Sequence, residues 1–261
     1  MASGSRRVSG ELVRAYPITK VGTASDIIAH DEASHVALHR LAQLARGTDN
    51  VLIGGETGTG KTACAQLLNA RSPTPRTLRF LNCAALSDGL LADQLRALEE
   101  ARSIADAPIT LCVDEVGELS PWGQAVLLHH LHARRCDTRF IAATHRDLDL
   151  MVAQGKFSRE LLTQLGTTRL QLAPLRARRG DIEPLAKHFL RLGLGHSNLK
   201  LISVEPAWFE VLERYDWPGN VRELKNAILH ALAINESGVL DIADLPDAVR
   251  IPAPLAKGYS R

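Results

Sequence analysis

Residues 51–62, which read VLIGGETGTGKT, constrain the fold of this chain more than any other segment. Residues 51–53 form a short apolar run typical of a buried strand, and residues 62–70 carry apolar side chains at helical spacing. The glycines therefore lie at a turn from a strand into a helix. That is the context in which a glycine-rich turn binds phosphate.

The turn matches the pattern G-x-x-x-x-G-K-[ST] through Gly55, Gly60, Lys61 and Thr62. In such a loop, backbone N–H groups surround phosphate oxygens, the lysine reaches the β and γ phosphates, and the threonine hydroxyl ligates Mg²⁺. A turn that binds nothing is disfavoured because strand, loop, lysine, threonine and helix are in register. The predicted nucleotide-binding residues are Gly55, Glu56, Thr57, Gly58, Thr59, Gly60, Lys61, Thr62 and Ala63.

Length and composition set limits on the rest of the chain. Its 261 residues, 45% hydrophobic, can hold one large domain or a domain plus a smaller one. A formal net charge of +2 is too small to argue for a nucleic-acid or membrane partner. The four cysteines form no C-x-x-C pair, which is typical of core thiols in a reducing compartment. We therefore expect a cytoplasmic protein without a membrane span, a signal peptide or a structural metal site.

The order of predicted elements indicates two subdomains. Strands alternate with helices over residues 25–172, which predicts a parallel sheet covered on both faces that binds ligands at the carboxyl ends of its strands. From Asp181 the pattern is wholly helical, with helices predicted over residues 181–192, 203–214 and 221–234. The predicted organisation is a flexible arm at 1–25, an α/β nucleotide-binding subdomain at 26–173, a helical lid at 174–250 and a tail at 251–261.

A second motif, ITLCVDEVGEL at residues 109–119, places two acids directly after an apolar strand. We expect Asp114 to hold Mg²⁺, directly or through water, and Glu115 to polarise the water that attacks the γ-phosphate. An apolar run that ends in Asp-Glu is common by itself, but behind a phosphate-binding loop it indicates hydrolysis. A protein that only holds a nucleotide has no need of the glutamate.

Several segments together resemble the AAA+ ATPase domain of bacterial enhancer-binding proteins, the activators that remodel sigma-54 RNA polymerase. The resemblance covers about residues 27–250. It implies an α/β, three-layer AAA+ domain with a helical lid, ATP and Mg²⁺ as ligands, self-assembly into a ring or partial ring, and a protein partner in the transcription machinery. The segments are GETGTGKT (55–62), FLNCAAL (80–86), VDEVGEL (113–119), FIAATHRDL (140–148), PLRARRGDI (174–182) and YDWPGNVREL (215–224).

The resemblance also implies roles for single residues. Asn82 is similar to the residue that restrains the catalytic glutamate until the γ-phosphate is sensed, although an asparagine at a strand end can equally form a turn. Arg222 resembles the lid arginine that touches the nucleotide phosphates; the alternative is a helix-face arginine beside Glu223. His145 occupies the place of a polar sensor that is usually asparagine, and imidazole can still donate a hydrogen bond to phosphate or water. The predicted catalytic residues are thus Glu115, Lys61, Asn82 and His145.

The chain departs from the family pattern at two loops and at the trans-acting arginines. The GAFTGA loop that grips the sigma factor is absent between residues 87 and 110, and a second loop before the fourth strand is shortened. Ser158 and Gln164 stand at the two arginine positions. Arg159 lies one residue along, rotated by about 100° on a helix. A trans-acting arginine, or arginine finger, raises the rate of hydrolysis by a factor of about 10³ to 10⁵. Hydrolysis is therefore expected to be slow or to use another arginine finger, with Arg159 as the candidate.

Three functional hypotheses follow. The first is an AAA+ ATPase regulator that couples ATP binding and hydrolysis to remodelling of an unidentified protein, without gripping sigma-54 directly. The alternative is a nucleotide-gated binding module with little or no turnover. A DNA-binding role for residues 216–233 has less support, because this stretch carries one arginine and one lysine and we expect no DNA-binding domain in this chain.

Overall fold

The computed structural model describes residues 11–12, 27–74, 76–105, 108–133, 138–194 and 203–251. These residues fall into two compact units, one within Val21–Pro174 and one within Met1–Lys20 and Leu175–Arg261. Most of the predicted arm, the predicted tail after Ile251, and Cys136 lie outside the described residues. No described helix has both the length and the apolar character needed to cross a bilayer.

In chain order, the described strands are β1 (Glu11–Leu12), β2 (Val51–Gly54), β3 (Thr77–Asn82), β4 (Ile109–Asp114), β5 (Thr138–Thr144), β6 (Thr168–Gln171), β7 (Ser203–Val204) and β8 (Val239–Leu240). The described α-helices are α1 (Glu32–Ala45), α2 (Lys61–Ala70), α3 (Asp88–Ala105), α4 (Pro121–His132), α5 (Leu148–Ala153), α6 (Arg159–Leu165), α7 (Ile182–Leu194), α8 (Pro206–Arg214), α9 (Asn220–Ile234) and α10 (Asp247–Arg250).

The first unit contains a five-stranded sheet in the order β3-β4-β5-β2-β6, in which every described pairing is parallel. Its three central strands, β2, β4 and β5, are buried on both faces. Leu52, Leu111 and Phe140 pack into a core with α3, α4 and α6, whereas Ile53 and Ile141 pack on the opposite side with α1 and α2. Burial on both faces explains the uninterrupted apolar runs. The predicted α/β fold with a parallel sheet is confirmed.

Local capping defines where the helices of this unit begin. The Ser120 side chain accepts a hydrogen bond from the Gly123 amide at 3.0 Å, and Pro121 occupies the first position of α4. Along α3, Leu91 and Leu95 are four residues apart and are both buried, as on the apolar face of an amphipathic helix. Helix α3 runs without interruption for 18 residues.

The second unit is not wholly helical, which corrects the prediction for its start. Ser203–Val204 form strand β7, which pairs antiparallel with β1 and parallel with β8, and α8 begins only at Pro206. Val204 and Leu240 are buried at these pairings. Two-residue strands are too short to show a period of two, so the helical pattern of the following residues dominated the prediction. Glu11–Leu12, from the predicted arm, therefore form part of this sheet.

The segment YDWPGNVREL forms the turn that starts α9. Trp217 and Asn220 are fully buried, and each has a φ of 52°. The Trp217 indole donates to the Leu212 carbonyl at 2.8 Å, and Asn220 Oδ1 accepts from the Leu175 amide at 2.7 Å. Buried polar groups are stable when they are paired in this way. The segment thus has a structural role in holding the first turn of α9.

Two arginines of PLRARRGDI are also structural. Arg178 is buried and lies 3.5 Å from Asp181, while Arg179 donates to Asp216 at 2.6 Å. Arg178 is thus bound within the fold, whereas Arg179 is exposed and its charge is paired with that of Asp216.

Candidate functional site

The phosphate-binding loop connects β2 to α2 through glycines with positive φ. Gly55, Gly58 and Gly60 have φ values of 152°, 81° and 106°. These conformations suit glycine, which has no Cβ to oppose a positive φ. The Gly55 amide donates to the Thr144 carbonyl at 3.3 Å, which ties the start of the loop to the end of β5.

Lys61 is the first residue of α2, and its side chain folds back into the loop. It is only 6% exposed. Its Nζ donates to the carbonyls of Gly55 at 2.8 Å and Glu56 at 3.2 Å, and it lies 3.7 Å from Glu115 Oε1. The structure therefore brings the loop lysine and the predicted catalytic glutamate together.

The predicted acid pair lies at the carboxyl end of β4. Asp114 is its last residue, and Asp114 Oδ1 accepts from the Glu115 amide at 3.0 Å. Thr62 is an exposed residue in the first turn of α2. A carboxylate and a hydroxyl at the same edge of the sheet are oxygen donors of the kind that Mg²⁺ prefers, so Asp114 and Thr62 fit the predicted metal role.

His145 directly follows β5 and contacts Glu115. The two groups are joined twice, since His145 Nδ1 lies 2.7 Å from Glu115 Oε2 and the His145 amide donates to the same oxygen at 3.3 Å. His145 Nε2 lies 3.9 Å from Glu118 Oε1. Of the predicted catalytic residues, Lys61, Glu115 and His145 therefore form one cluster.

Asn82 adopts the turn conformation that was its alternative interpretation. It ends β3 in register with Asp114, but its Oδ1 accepts from the Ala84 amide at 3.1 Å. Among the described residues, its side chain makes no hydrogen bond to Glu115. An asparagine oxygen that bonds a backbone N–H two residues on is a common strand-end turn. The role implied for Asn82 in restraining Glu115 is therefore not seen in this arrangement.

The charged pair Glu118–Arg146 was missed by the sequence reasoning. Arg146 Nε and Nη2 each lie 2.6 Å from a carboxylate oxygen of Glu118, a two-point contact beside His145. The spacing does contain a signal, because Glu118 and Arg146 lie shortly after two neighbouring strands. Opposite charges that follow adjacent parallel strands meet at one edge of the sheet.

The two candidate arginines lie in different units. Arg159 is the exposed first residue of α6, and the preceding Ser158 caps that helix by accepting from the Leu161 amide at 3.2 Å. Arg222 is exposed in the first turn of α9. Glu223 does not pair with it among the described residues, since Glu223 bonds the Gly219 amide at 2.7 Å and the Tyr215 hydroxyl at 3.2 Å. Both guanidinium groups are accessible.

Two buried thiols lie beneath the acid pair. Burial, together with the nearby carboxylates of Asp114 and Glu115, raises the pKa of Cys83 to about 12. Burial likewise raises the pKa of Cys112 to about 12, with a contribution from Asp114. These thiols are therefore neutral at physiological pH and add no charge to the site.

Comparisons with known proteins agree with this architecture. Residues 29–175 match the family described as the Sigma-54 interaction domain, and residues 176–257 match the AAA+ ATPase lid domain. Transcriptional regulatory protein ZraR of Klebsiella oxytoca is 34% identical over 266 residues, which is 93% of this chain and 59% of that protein. Regulatory protein AtoC of Escherichia coli K12 is 35% identical over 234 residues, 81% of this chain and 51% of that protein.

Solved structures share the fold. NtrX from Brucella abortus in complex with ATP has a TM-score of 0.77 at 23% identity, covering 86% of this chain and 57% of that one. The Thermotoga maritima RuvB branch migration motor has a TM-score of 0.59 at 17% identity, covering 83% of this chain and 67% of that one. The chain spans only about half to three fifths of the ZraR and AtoC sequences. From its match over residues 29–175, with the lid match behind it, we conclude that the chain belongs to the sigma-54 interaction domain family of AAA+ proteins.

Proposed function

We propose that this chain binds ATP with Mg²⁺, hydrolyses it, and uses the cycle to remodel a protein partner in the transcription machinery. The observation that carries the proposal is the 3.7 Å separation between Lys61 Nζ and Glu115 Oε1. This proximity supports the proposal, in which Lys61 holds the β and γ phosphates and Glu115 acts on the attacking water. Membership of a family found in transcriptional regulators supports the part of the proposal that concerns a partner in the transcription machinery.

Each residue has a chemical task in this proposal. Water attacks the γ-phosphorus, the bond from that phosphorus to the bridging oxygen of ADP breaks, and Glu115 accepts the proton that water loses. Lys61 and the loop amides stabilise charge on the phosphate oxygens. Thr62 and Asp114 would hold Mg²⁺, which when bound supplies positive charge to the same oxygens. Arg222 would add a further phosphate contact from the lid.

The partner and the assembly are part of the proposal. Helix α3 is continuous over Asp88–Ala105, in the region where the resembling activators carry GAFTGA. A loop that contacts a partner would have to interrupt this helix, and α3 has no such interruption. We therefore propose that this chain does not grip sigma-54 directly. Copies of the chain would assemble into a ring or partial ring, in which Arg159 of one copy serves the nucleotide of the next.

The alternative is a nucleotide-gated binding module with little turnover. Ser158, at one of the two usual arginine positions, is used as a helix cap. The Gln164 carbonyl accepts from the Asn50 side chain at 2.9 Å, which fixes the backbone at the other position. If no arginine reaches the γ-phosphate, the chain would bind ATP but hydrolyse it very slowly.

Steady-state phosphate release by the wild type and Glu115→Gln separates the two functions. We expect turnover in the wild type and a loss of at least about 100-fold in Glu115→Gln, because the amide cannot accept the proton. Binding of a fluorescent ATP analogue should stay within about threefold of the wild type. Glu160→Gln, an exposed change on α6, is the matched control and should keep the wild-type rate. Equal background rates in the wild type and Glu115→Gln would favour the gated module.

A further inference from the structure

The Glu115 carboxylate is held asymmetrically. Its Oε2 receives both contacts from His145, the ring nitrogen at 2.7 Å and the backbone amide at 3.3 Å. Its Oε1 is turned the other way, toward Lys61 Nζ at 3.7 Å. One oxygen is therefore fixed by a single neighbouring residue, and the other faces the phosphate-binding loop.

The chemistry of the two groups sets the proton position. An ionised carboxylate can only accept hydrogen bonds, so His145 Nδ1 must carry the hydrogen in this contact. The charged groups beside the ring are Glu115, near Nδ1, and Glu118, near Nε2, and Glu118 is itself bound by Arg146. A base oriented by a third group is a common arrangement in hydrolytic sites.

We propose that His145 is the positioning residue for the catalytic glutamate, whereas the family resemblance implies that Asn82 contacts this glutamate and restrains it. His145 fixes Oε2 with two N–H donors, so that Oε1 is presented to water at the γ-phosphate. Asn82 is unsuited to this task here because its side-chain oxygen bonds the Ala84 amide at 3.1 Å. The catalytic consequence depends on the ATP hydrolysis proposed above, whereas the contact itself does not.

A pair of substitutions at position 145 isolates the Nδ1–H donor. The side-chain nitrogen of asparagine lies close to where Nδ1 lies in histidine, so His145→Asn retains a donor there. Aspartate has the same shape as asparagine but offers only acceptors, which repel the Glu115 carboxylate. His145→Ala removes the group altogether. His132→Ala is the matched histidine control, because His132 is exposed on α4 and pairs only with Glu160 among the described residues.

The kinetic test compares kcat and KM for ATP. We expect kcat to fall at least about tenfold in His145→Ala and His145→Asp, while KM changes by less than about threefold, since an orienting contact acts on the transition state. His145→Asn should stay within about threefold of the wild type, and His132→Ala should match it. Equal kcat values for the Asn and Asp variants, or a loss seen in KM alone, would overturn the proposal. Thermal unfolding of each variant checks that it is folded.

A second measurement does not require turnover. In protein labelled with ¹⁵N-histidine, the His145 ring should carry its hydrogen on Nδ1, and Glu115→Ala should abolish that preference. The signal is assigned by its disappearance in His145→Asn. If Glu115→Ala leaves the ring unchanged, the contact does not exist and the proposal is wrong. If the ring responds but the wild type releases no phosphate, the contact stands and the proposed ATPase function fails instead.

Discussion

At the scale of single residues, a few residues other than glycine have a strained backbone conformation. Among the described residues, positive φ values outside glycine occur at Glu115, Trp217 and Asn220, each at 52°. Such conformations cost of order 1–3 kcal/mol and persist where the surroundings hold them. Glu115 is held by His145, and Asn220 by its bond to the Leu175 amide. One marks the candidate active site and the other the start of α9.

Asn220 offers a direct test of this local strain. Asn220→Ala leaves a side chain that tolerates φ of 52° less well and removes the acceptor for the buried Leu175 amide. We expect the free energy of unfolding to fall by about 2–4 kcal/mol. Urea unfolding followed by tryptophan fluorescence measures it, because Trp208 and Trp217 are buried in the same unit.

Asn226→Ala is the matched control on the same helix. Asn226 is exposed, so this change gains helix propensity, and it should be neutral or stabilise by less than about 1 kcal/mol. Equal effects of the two substitutions would show that the Asn220 turn does not hold α9.

At the scale of elements, the parallel sheet has its candidate catalytic residues at one edge and its apolar side chains in the middle. Glu115 after β4 and Thr144 at the end of β5 contact the phosphate-binding loop, while the middle residues of both strands are buried. Cys83 and Cys112 belong to this buried layer, and both have pKa values raised to about 12. The folded protein therefore contains two thiols that keep their protons to a higher pH than the same thiols do in the unfolded chain.

The raised pKa values predict loss of stability at alkaline pH. An unfolded cysteine loses its proton near its ordinary value of 9.0, whereas the folded thiols keep theirs until about 12. In that window the folded state binds more protons, so the free energy of unfolding falls as pH rises. Below pH 9 the contribution is fully present. The slope is up to about 1.4 kcal/mol per pH unit for each thiol.

Urea unfolding of the wild type and Cys112→Ala at pH 8 and pH 10 measures this effect. The variant should lose less stability between the two pH values than the wild type, because it has one buried thiol fewer. The comparison cancels lysine and tyrosine titration, which both proteins share. Identical pH dependence would mean that the Cys112 thiol ionises as easily in the folded chain as in the unfolded one.

At the scale of the whole molecule, the proposed assembly predicts that one copy completes the site of another. Arg159 is exposed at the start of α6, and Glu115 is bound to His145 in the same unit. If Arg159 acts in trans, Arg159→Ala has an intact base and lacks the finger, whereas Glu115→Gln has the reverse defect. Each variant alone should release phosphate at least about tenfold more slowly than the wild type.

An equal mixture of Arg159→Ala and Glu115→Gln tests complementation between copies. We expect the mixture to exceed both single variants, because some Arg159→Ala sites then adjoin a Glu115→Gln copy that supplies Arg159. Sizing in ATP and in ADP establishes whether the copies associate. Wild-type turnover in Arg159→Ala alone would show that Arg159 is not the finger.

Local sequence by itself determined the phosphate-binding loop, the Asp114-Glu115 pair and the alternation of strands and helices. These features depend on neighbours within a few residues, so glycine placement, capping and burial period reveal them. The sequence also indicated that His145 replaces a polar sensor. It could not show which atom of Glu115 that ring would contact.

Tertiary structure alone decided the contacts between distant segments. Ser203–Val204 became a strand because Glu11–Leu12 and Val239–Leu240 lie beside it, although the local pattern predicted a helix. Asn82 ends β3 and His145 follows β5, the two strands that flank β4, yet Asn82 bonds Ala84 and of the two only His145 bonds Glu115. The physical reason is that a hydrogen bond depends on distances of a few tenths of an ångström, which strand register and side-chain direction set only when the chain is folded.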